Sequence, residues 1–131
     1  MRLNQVTVPS TDVAASVRFY TALGLTPIVR TDHYARFVCP DGDATLSVEA
    51  VERIAVGETP VIYFECDELD RRVDDLKAAG LVFESDPVDQ SWLWREARLK
   101  DPDGNELRLY YAGENRLDPP WRVPNEPGPV I

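Results

Sequence analysis

The chain repeats itself at an offset of 56 residues, and this constrains its fold more than any other feature. Gln5-Val6-Thr7-Val8 aligns with Val61-Ile62-Tyr63-Phe64. Both are alternating runs rich in β-branched or aromatic residues, so each half is expected to open with a strand. Val13, Val17 and Tyr20 align with Leu69, Val73 and Leu76. Their spacing of three to four predicts one amphipathic helix per half, from Asp12 to Leu23 and from about Glu68 to Ala79. Both helices should stop at a glycine followed by leucine, Gly24-Leu25 and Gly80-Leu81, because glycine tolerates the left-handed backbone that ends a helix. Asp67 is the natural N-cap of the second helix, and Ser10, Thr11 or Asp12 that of the first. Pro40-Asp41-Gly42 precedes the run Ala44 to Glu49 as Pro102-Asp103-Gly104 precedes Glu106 to Tyr110, and Asp-Gly pairs mark hairpin turns. The expectation is an α+β chain of two βαβββ modules, residues 1–56 and 57–112, in one domain spanning 1–131.

A module with a single helix can cover only one face of its sheet. Strand alternation says which residues face the helix: Val6, Val8, Phe37, Leu46, Val48, Ile62, Phe64, Ala97, Leu99, Leu107 and Leu109, an apolar core. Gln5, Thr7, Tyr34, Arg36, Ser47 and Glu49 face the other way in the first module. Val61, Tyr63, Glu65, Glu106, Arg108 and Tyr110 do so in the second. A hairpin turn over Pro40 to Asp43 sets Phe37 opposite Leu46, Arg36 opposite Ser47 and Tyr34 opposite Glu49, so like meets like on both faces. A strand from Trp92 to Lys100 would add Trp92, Trp94, Glu96 and Arg98 to the polar side. Such a polar and aromatic face suits a shared curved-sheet cavity with the helices on its outer side.

The formal net charge is -9, from 14 basic and 23 acidic residues spread along the chain. That repels phosphate backbones, so a nucleic-acid partner is not expected. No apolar run approaches a membrane span and the N-terminus is polar within four residues, so a cytoplasmic protein without a membrane partner is the expectation. Cys39 and Cys66 lie in apolar runs outside any metal-type spacing and read as buried free thiols. His33, the one histidine, reads as a loop residue. Residues 113–131 hold five prolines and cannot form a regular helix or central strand. They read as an extended C-terminal arm anchored by Trp121.

Two stretches resemble the vicinal oxygen chelate superfamily, which includes glyoxalases, bleomycin resistance proteins and extradiol dioxygenases. Asp12, Ser16, Phe19-Tyr20 and Leu23-Gly24-Leu25 resemble its first module. Lys100-Asp101-Pro102-Asp103-Gly104-Asn105 resembles the hallmark of its second. The resemblance covers roughly residues 3 to 112. It implies a homodimer, and in the metal-dependent members four ligand positions, which map here to Gln5, Ser47, Val61 and Arg108. Zinc or iron sites need three or four donors. Val61 has none, and Arg108 carries a permanent positive charge. No metal or other cofactor is therefore expected.

The reading favoured by the residues is a metal-free protein that sequesters a planar, partly apolar compound. Its ligand-binding candidates are Gln5, Tyr34, Arg36, Ser47, Glu49, Tyr63, Glu65, Trp92, Trp94, Arg108 and Tyr110. Trp92, Trp94 and Tyr63 would wall the planar part, and Arg108 would take an anionic or carbonyl oxygen, with Gln5 and Ser47 assisting. A competing version has a cationic ligand held by Glu49 and Glu65. The alternatives are a metal-independent lyase, isomerase or cyclase using Glu49 and Arg108, and modules that serve assembly alone.

Overall fold

Each half folds as a strand, a helix and three further strands. The computed structural model describes residues 1–55, 57 and 59–124. In the first module β1 (Gln5–Ser10) is followed by α1 (Val13–Leu23), β2 (Thr26–Arg30), β3 (Tyr34–Val38) and β4 (Thr45–Ala50). In the second, β5 (Ile62–Glu65) is followed by α2 (Leu69–Ala78), β6 (Ser85–Asp89), β7 (Arg95–Lys100) and β8 (Glu106–Tyr111). The two sheets repeat one topology, β1-β4-β3-β2 and β5-β8-β7-β6, with the first and last strand of each module parallel and the others antiparallel. The α+β class with two modules is as the repeat predicts, and so is the hairpin register: Tyr34 pairs with Glu49, Arg36 with Ser47 and Phe37 with Leu46.

The helices begin and end for local reasons. Asp12 caps α1 by accepting from the Ala15 amide at 3.1 Å, and Gly24 closes it at φ 115, where a Cβ would be strained. The second N-cap differs from expectation. Glu68, not Asp67, takes the position, and its side chain makes no capping bond. The apolar stripes and the inner strand faces merge into one core that spans both modules, with Val8, Tyr20, Phe37, Val48, Val73 and Leu107 fully buried. Among the described residues no helix is long and apolar enough to cross a membrane.

Polar contacts also join the modules. The loop Asp101 to Asn105 of the second module reaches α1 of the first. Tyr20 Oη donates to Asp101 Oδ2 at 2.7 Å, and Asn105 Nδ2 donates to Asp101 Oδ2 at 2.7 Å and to the Pro9 carbonyl at 3.1 Å. The Thr11 amide donates to Asp103 Oδ1 at 2.8 Å, and Ser16 Oγ donates to Asp103 Oδ2 at 3.3 Å. Burial, and then the adjacent Asp101 charge, push the Tyr20 phenol far above its usual value of 10.0. A raised phenol pKa supports folding fully below pH 10 and is a growing liability as pH rises above it. Stability should therefore fall on the alkaline side of pH 10. Tyr20→Phe should flatten that fall while costing about 1–2 kcal/mol at neutral pH, as read by urea titrations at pH 7 and pH 11.

The sequence places Trp92 at the start of a strand, but the strand starts at Arg95. Residues 90–94 instead form the turn between β6 and β7. The Gln90 amide donates to the Trp94 carbonyl at 2.7 Å, and Leu93 sits at φ 65. Alternation cannot distinguish a strand from the turn that feeds it. The C-terminal arm is not extended from its first residue: Gly113–Arg116 make one 3-10 turn. Trp121 is 56% exposed and anchors nothing within the chain's core. The rest of the arm, 125–131, lies outside the described residues.

Candidate functional site

The polar sheet face of the first module carries a continuous hydrogen-bonded row. Gln5 Nε2 donates to Ser47 Oγ at 2.8 Å, Ser47 Oγ and Tyr34 Oη share a hydrogen bond of 2.6 Å, and Arg36 Nε donates to Tyr34 Oη at 2.9 Å. Parallel pairing of β1 with β4 and antiparallel pairing of β3 with β4 bring these four side chains onto one face. The bond with Ser47, and less strongly that from Arg36, holds the Tyr34 phenol below its usual value against the opposing effect of desolvation. Glu49 is exposed and makes no hydrogen bond or ion pair among the described residues.

The second module carries an aromatic wall. The Trp94 and Tyr110 rings are stacked, with centroids 4.7 Å apart at 24°, and the Tyr63 ring stands edge-on to both at 5.9 Å and 5.4 Å. Tyr63 stays 40% exposed. Burial raises the Tyr110 phenol above its usual value, and the Glu65 charge adds to this. Beside the wall, Arg108 Nη1 donates to Tyr63 Oη at 2.6 Å, and its guanidinium lies 5.3 Å from the Tyr63 ring centroid. Arg108 also approaches Glu96 at 3.9 Å and Glu106 at 3.6 Å. A hollow of about 220 Å³ lies between Arg98, Glu106 and Arg108.

Glu96 belongs to this face but is missing from the candidates read from sequence. Alternation puts it on the polar face, but nothing in the sequence marks it as the carboxylate that is only 1% exposed. Trp92 stands in the turn before β7, yet its indole N–H donates to Glu96 Oε2 at 2.8 Å, so this tryptophan still reaches the face. Glu96 Oε1 and Arg108 Nε are buried with no hydrogen-bond partner among the described residues. A buried polar atom without a partner is costly, and pairs of them on one face mark a place where a ligand group or water belongs.

Glu65 is already engaged elsewhere. Its Oε2 accepts from the Ala112 and Gly113 amides at 2.9 Å and 3.1 Å, and its Oε1 lies 3.6 Å from Arg116, so it fastens the turn that follows β8. Trp94 helps, its indole donating to the Asn115 carbonyl at 3.2 Å. The candidates thus form two groups: Gln5, Tyr34, Arg36 and Ser47 on one sheet, and Tyr63, Trp92, Trp94, Arg108 and Tyr110 on the other. No hydrogen bond, ion pair or ring contact joins the groups among the described residues.

The four positions that the resemblance maps to a metal do not suit one. Gln5 Oε1 accepts from Thr45 Oγ1, Ser47 Oγ is engaged by Gln5 Nε2 and Tyr34 Oη, Val61 offers no donor, and Arg108 places a guanidinium there. Among the described residues no three His, Cys, Asp or Glu side chains converge.

Comparison with known proteins agrees with this architecture. A Bacillus subtilis (strain 168) protein, the uncharacterized YraH, is 31% identical over 127 residues, spanning 84% of this chain and 98% of its own. A bleomycin-binding protein solved with bleomycin superposes with a TM-score of 0.71 at 22% identity, covering 85% of this chain and 98% of that one. Lactoylglutathione lyase from Agrobacterium tumefaciens superposes with a TM-score of 0.72 at 16% identity, covering 89% and 96%. At such identities these structures share the fold and nothing finer. The family profile matches residues 2–109, so with the repeated module, its topology and the loop Asp101 to Asn105, the chain belongs to the Glyoxalase/Bleomycin resistance protein/Dioxygenase superfamily.

Proposed function

We propose that this chain is a metal-free small-molecule-binding protein of the glyoxalase/bleomycin-resistance type, which sequesters a planar, partly apolar compound bearing an anionic or carbonyl oxygen. The observation that carries this reading is the wall of Trp94, Tyr110 and Tyr63 beside Arg108, where Arg108 Nε lacks a partner among the described residues. Aromatic faces give a planar ligand large contact area with few rotors to freeze. The guanidinium supplies a fork for an oxygen pair. Bleomycin-binding relatives of the same fold support a ligand of this general kind.

The test is tryptophan fluorescence of the untagged protein titrated with 2-naphthoate and with bleomycin, alongside elemental analysis. Saturable quenching by at least one compound is expected, with metal below about a tenth of an equivalent per chain. About one zinc, iron, nickel or manganese per chain would refute the metal-free part. The absence of saturable quenching by either compound would refute the binding site.

A second reading, a metal-independent lyase, isomerase or cyclase, draws on Glu96. The solvent-excluded carboxylate beside Arg108 is Glu96, not the exposed Glu49. A change in the mass of the added compound during incubation would separate turnover from storage.

The same proposal includes a homodimer in which the polar face of one copy is completed by another. Among the described residues no hydrogen bond, ion pair or ring contact joins the two candidate groups, and Val61 and Trp92 are 38% and 39% exposed beside them. Light scattering should give twice the chain mass of 14.8 kDa. A single-chain mass across micromolar concentrations would remove the dimer, and deleting residues 114–131 should weaken it if the arm clasps the partner. The net charge of -9 supports a soluble cytoplasmic role without nucleic-acid or membrane partners.

A further inference from the structure

The contact between the modules is a pair of related junctions, each placing one helix against the Pro-Asp-Gly turn of the other module. One junction is sealed. Tyr20 on α1 bonds Asp101, Asn105 bonds Pro9, and both Tyr20 and Asn105 are fully buried. At the other, Leu76 stands at the repeat position of Tyr20, and Cys39 at that of Asp101. A leucine and a thiol cannot form the bridge that a phenol and a carboxylate form. A cleft of about 580 Å³ remains there, between Cys39, Pro40 and Asp41 of the first module and Cys66, Arg72 and Leu76 of the second.

That volume lies in the range of small-molecule sites, roughly 300–1,000 Å³. Leu25, Phe64 and Leu109 give the cleft an apolar lining. Asp41, Asp67 and Asp75 also line it, and their carboxylates make no hydrogen bond or ion pair among the described residues. Of the two arginines present, Arg71 lies 3.8 Å from Glu68, which leaves Arg72, among the described residues, without an ion pair against three carboxylates that also have none. Arg72 is drawn to the α1 end of the cleft, where its Nη1 lies 3.9 Å from the position a Cβ on Gly24 would take.

We propose that this open junction, which meets the aromatic wall only at Tyr63, is a second binding site for an amphipathic organic cation. Its apolar body would lie on Leu25, Phe64 and Leu109, and its positive group among Asp41, Asp67 and Asp75. An ammonium or amidinium there relieves the repulsion between the carboxylates and displaces water from an apolar surface in one step.

The experiment is fluorescence anisotropy of rhodamine 6G, a planar cation, with the anionic dye fluorescein as counter-probe, at low and high salt. Saturable rhodamine binding that weakens with salt is expected, with fluorescein bound at least about tenfold less well. The double variant Cys39→Asp/Leu76→Tyr copies the sealed junction and should weaken rhodamine binding at least about tenfold. Asp41→Asn/Asp75→Asn leaves the shape intact, so it reports on charge even if the first variant fails to fold; it should weaken binding about threefold or more. No saturable rhodamine binding, tighter fluorescein binding, or an Asp41→Asn/Asp75→Asn variant of unchanged affinity would each overturn the proposal.

Discussion

Asp101→Ala is expected to destabilise the fold by about 3–5 kcal/mol, the largest single-residue effect outside the apolar core. Asp101 is 5% exposed and accepts four hydrogen bonds. Its Oδ1 takes the amides of Asp103 and Asn105, both at 2.9 Å, and its Oδ2 takes Tyr20 Oη and Asn105 Nδ2, both at 2.7 Å. Alanine would strand all four donors, and two of them belong to fully buried side chains. Each stranded buried donor costs about 1–3 kcal/mol, less whatever water can recover. The loss would also loosen the junction between the modules, since Asp101, with Asp103, accepts the side-chain hydrogen bonds from α1. A melting temperature lower by about 10 °C or more should result. Asp101→Asn keeps an acceptor oxygen and should cost less than half as much. Urea unfolding at pH 7 makes the comparison, and an alanine variant within about 1 kcal/mol of the parent would show that the junction does not hold the modules together.

The second large effect concerns the ligand. Arg108→Ala should weaken binding of an anionic planar compound about a hundredfold, and Trp94→Ala at least about tenfold. Arg108 is the cation within reach of Tyr63, the member of the wall that is 40% exposed. For a cationic ligand the sign of the arginine effect reverses, because Arg108→Ala removes a like charge. The structure favours the anionic version on one ground: of the two carboxylates that would hold a cation, Glu65 is committed to the Ala112 and Gly113 amides and to Arg116. Arg108 also lies 3.9 Å from buried Glu96, so circular dichroism should accompany the titration. Arg108→Lys, which keeps the charge and loses the fork, gives the conservative control. Calorimetric titration with 2-naphthoate reads all three variants. If neither Arg108→Ala nor Trp94→Ala changes the affinity, the ligand does not sit on this face.

The sequence by itself determined the modules, their order and which side of each strand faces the helix. These depend on local chemistry. Val13, Val17 and Tyr20 recur at helical spacing, Asp12 and Gly24 bound their helix, and the Asp-Gly turn after Pro40 sets the pairing of Arg36 with Ser47. Repetition strengthened each of these signals, because the same elements had to appear twice in the same order. Alternation also selected Gln5, Tyr34, Arg36 and Ser47 as neighbours, since strand pairing turns sequence distance into a register.

Only the tertiary structure decided what each polar residue is for. Glu65 and Glu96 fall on the same side of their sheet by alternation. Yet Glu65 fastens the turn after β8, while Glu96 is shut from solvent with one oxygen that has no hydrogen-bond partner among the described residues. Trp92 and Trp94 look equivalent in the sequence, and both lie in the turn before β7, but one bonds Glu96 while the other stacks on Tyr110. The difference between the sealed and the open junction was likewise invisible, although Tyr20, Leu76, Asp101 and Cys39 are all plain to read. A hydrogen bond or a cleft depends on the approach of atoms from elements far apart in the chain. Periodicity encodes the direction in which a side chain points, but not what will be standing opposite when it gets there.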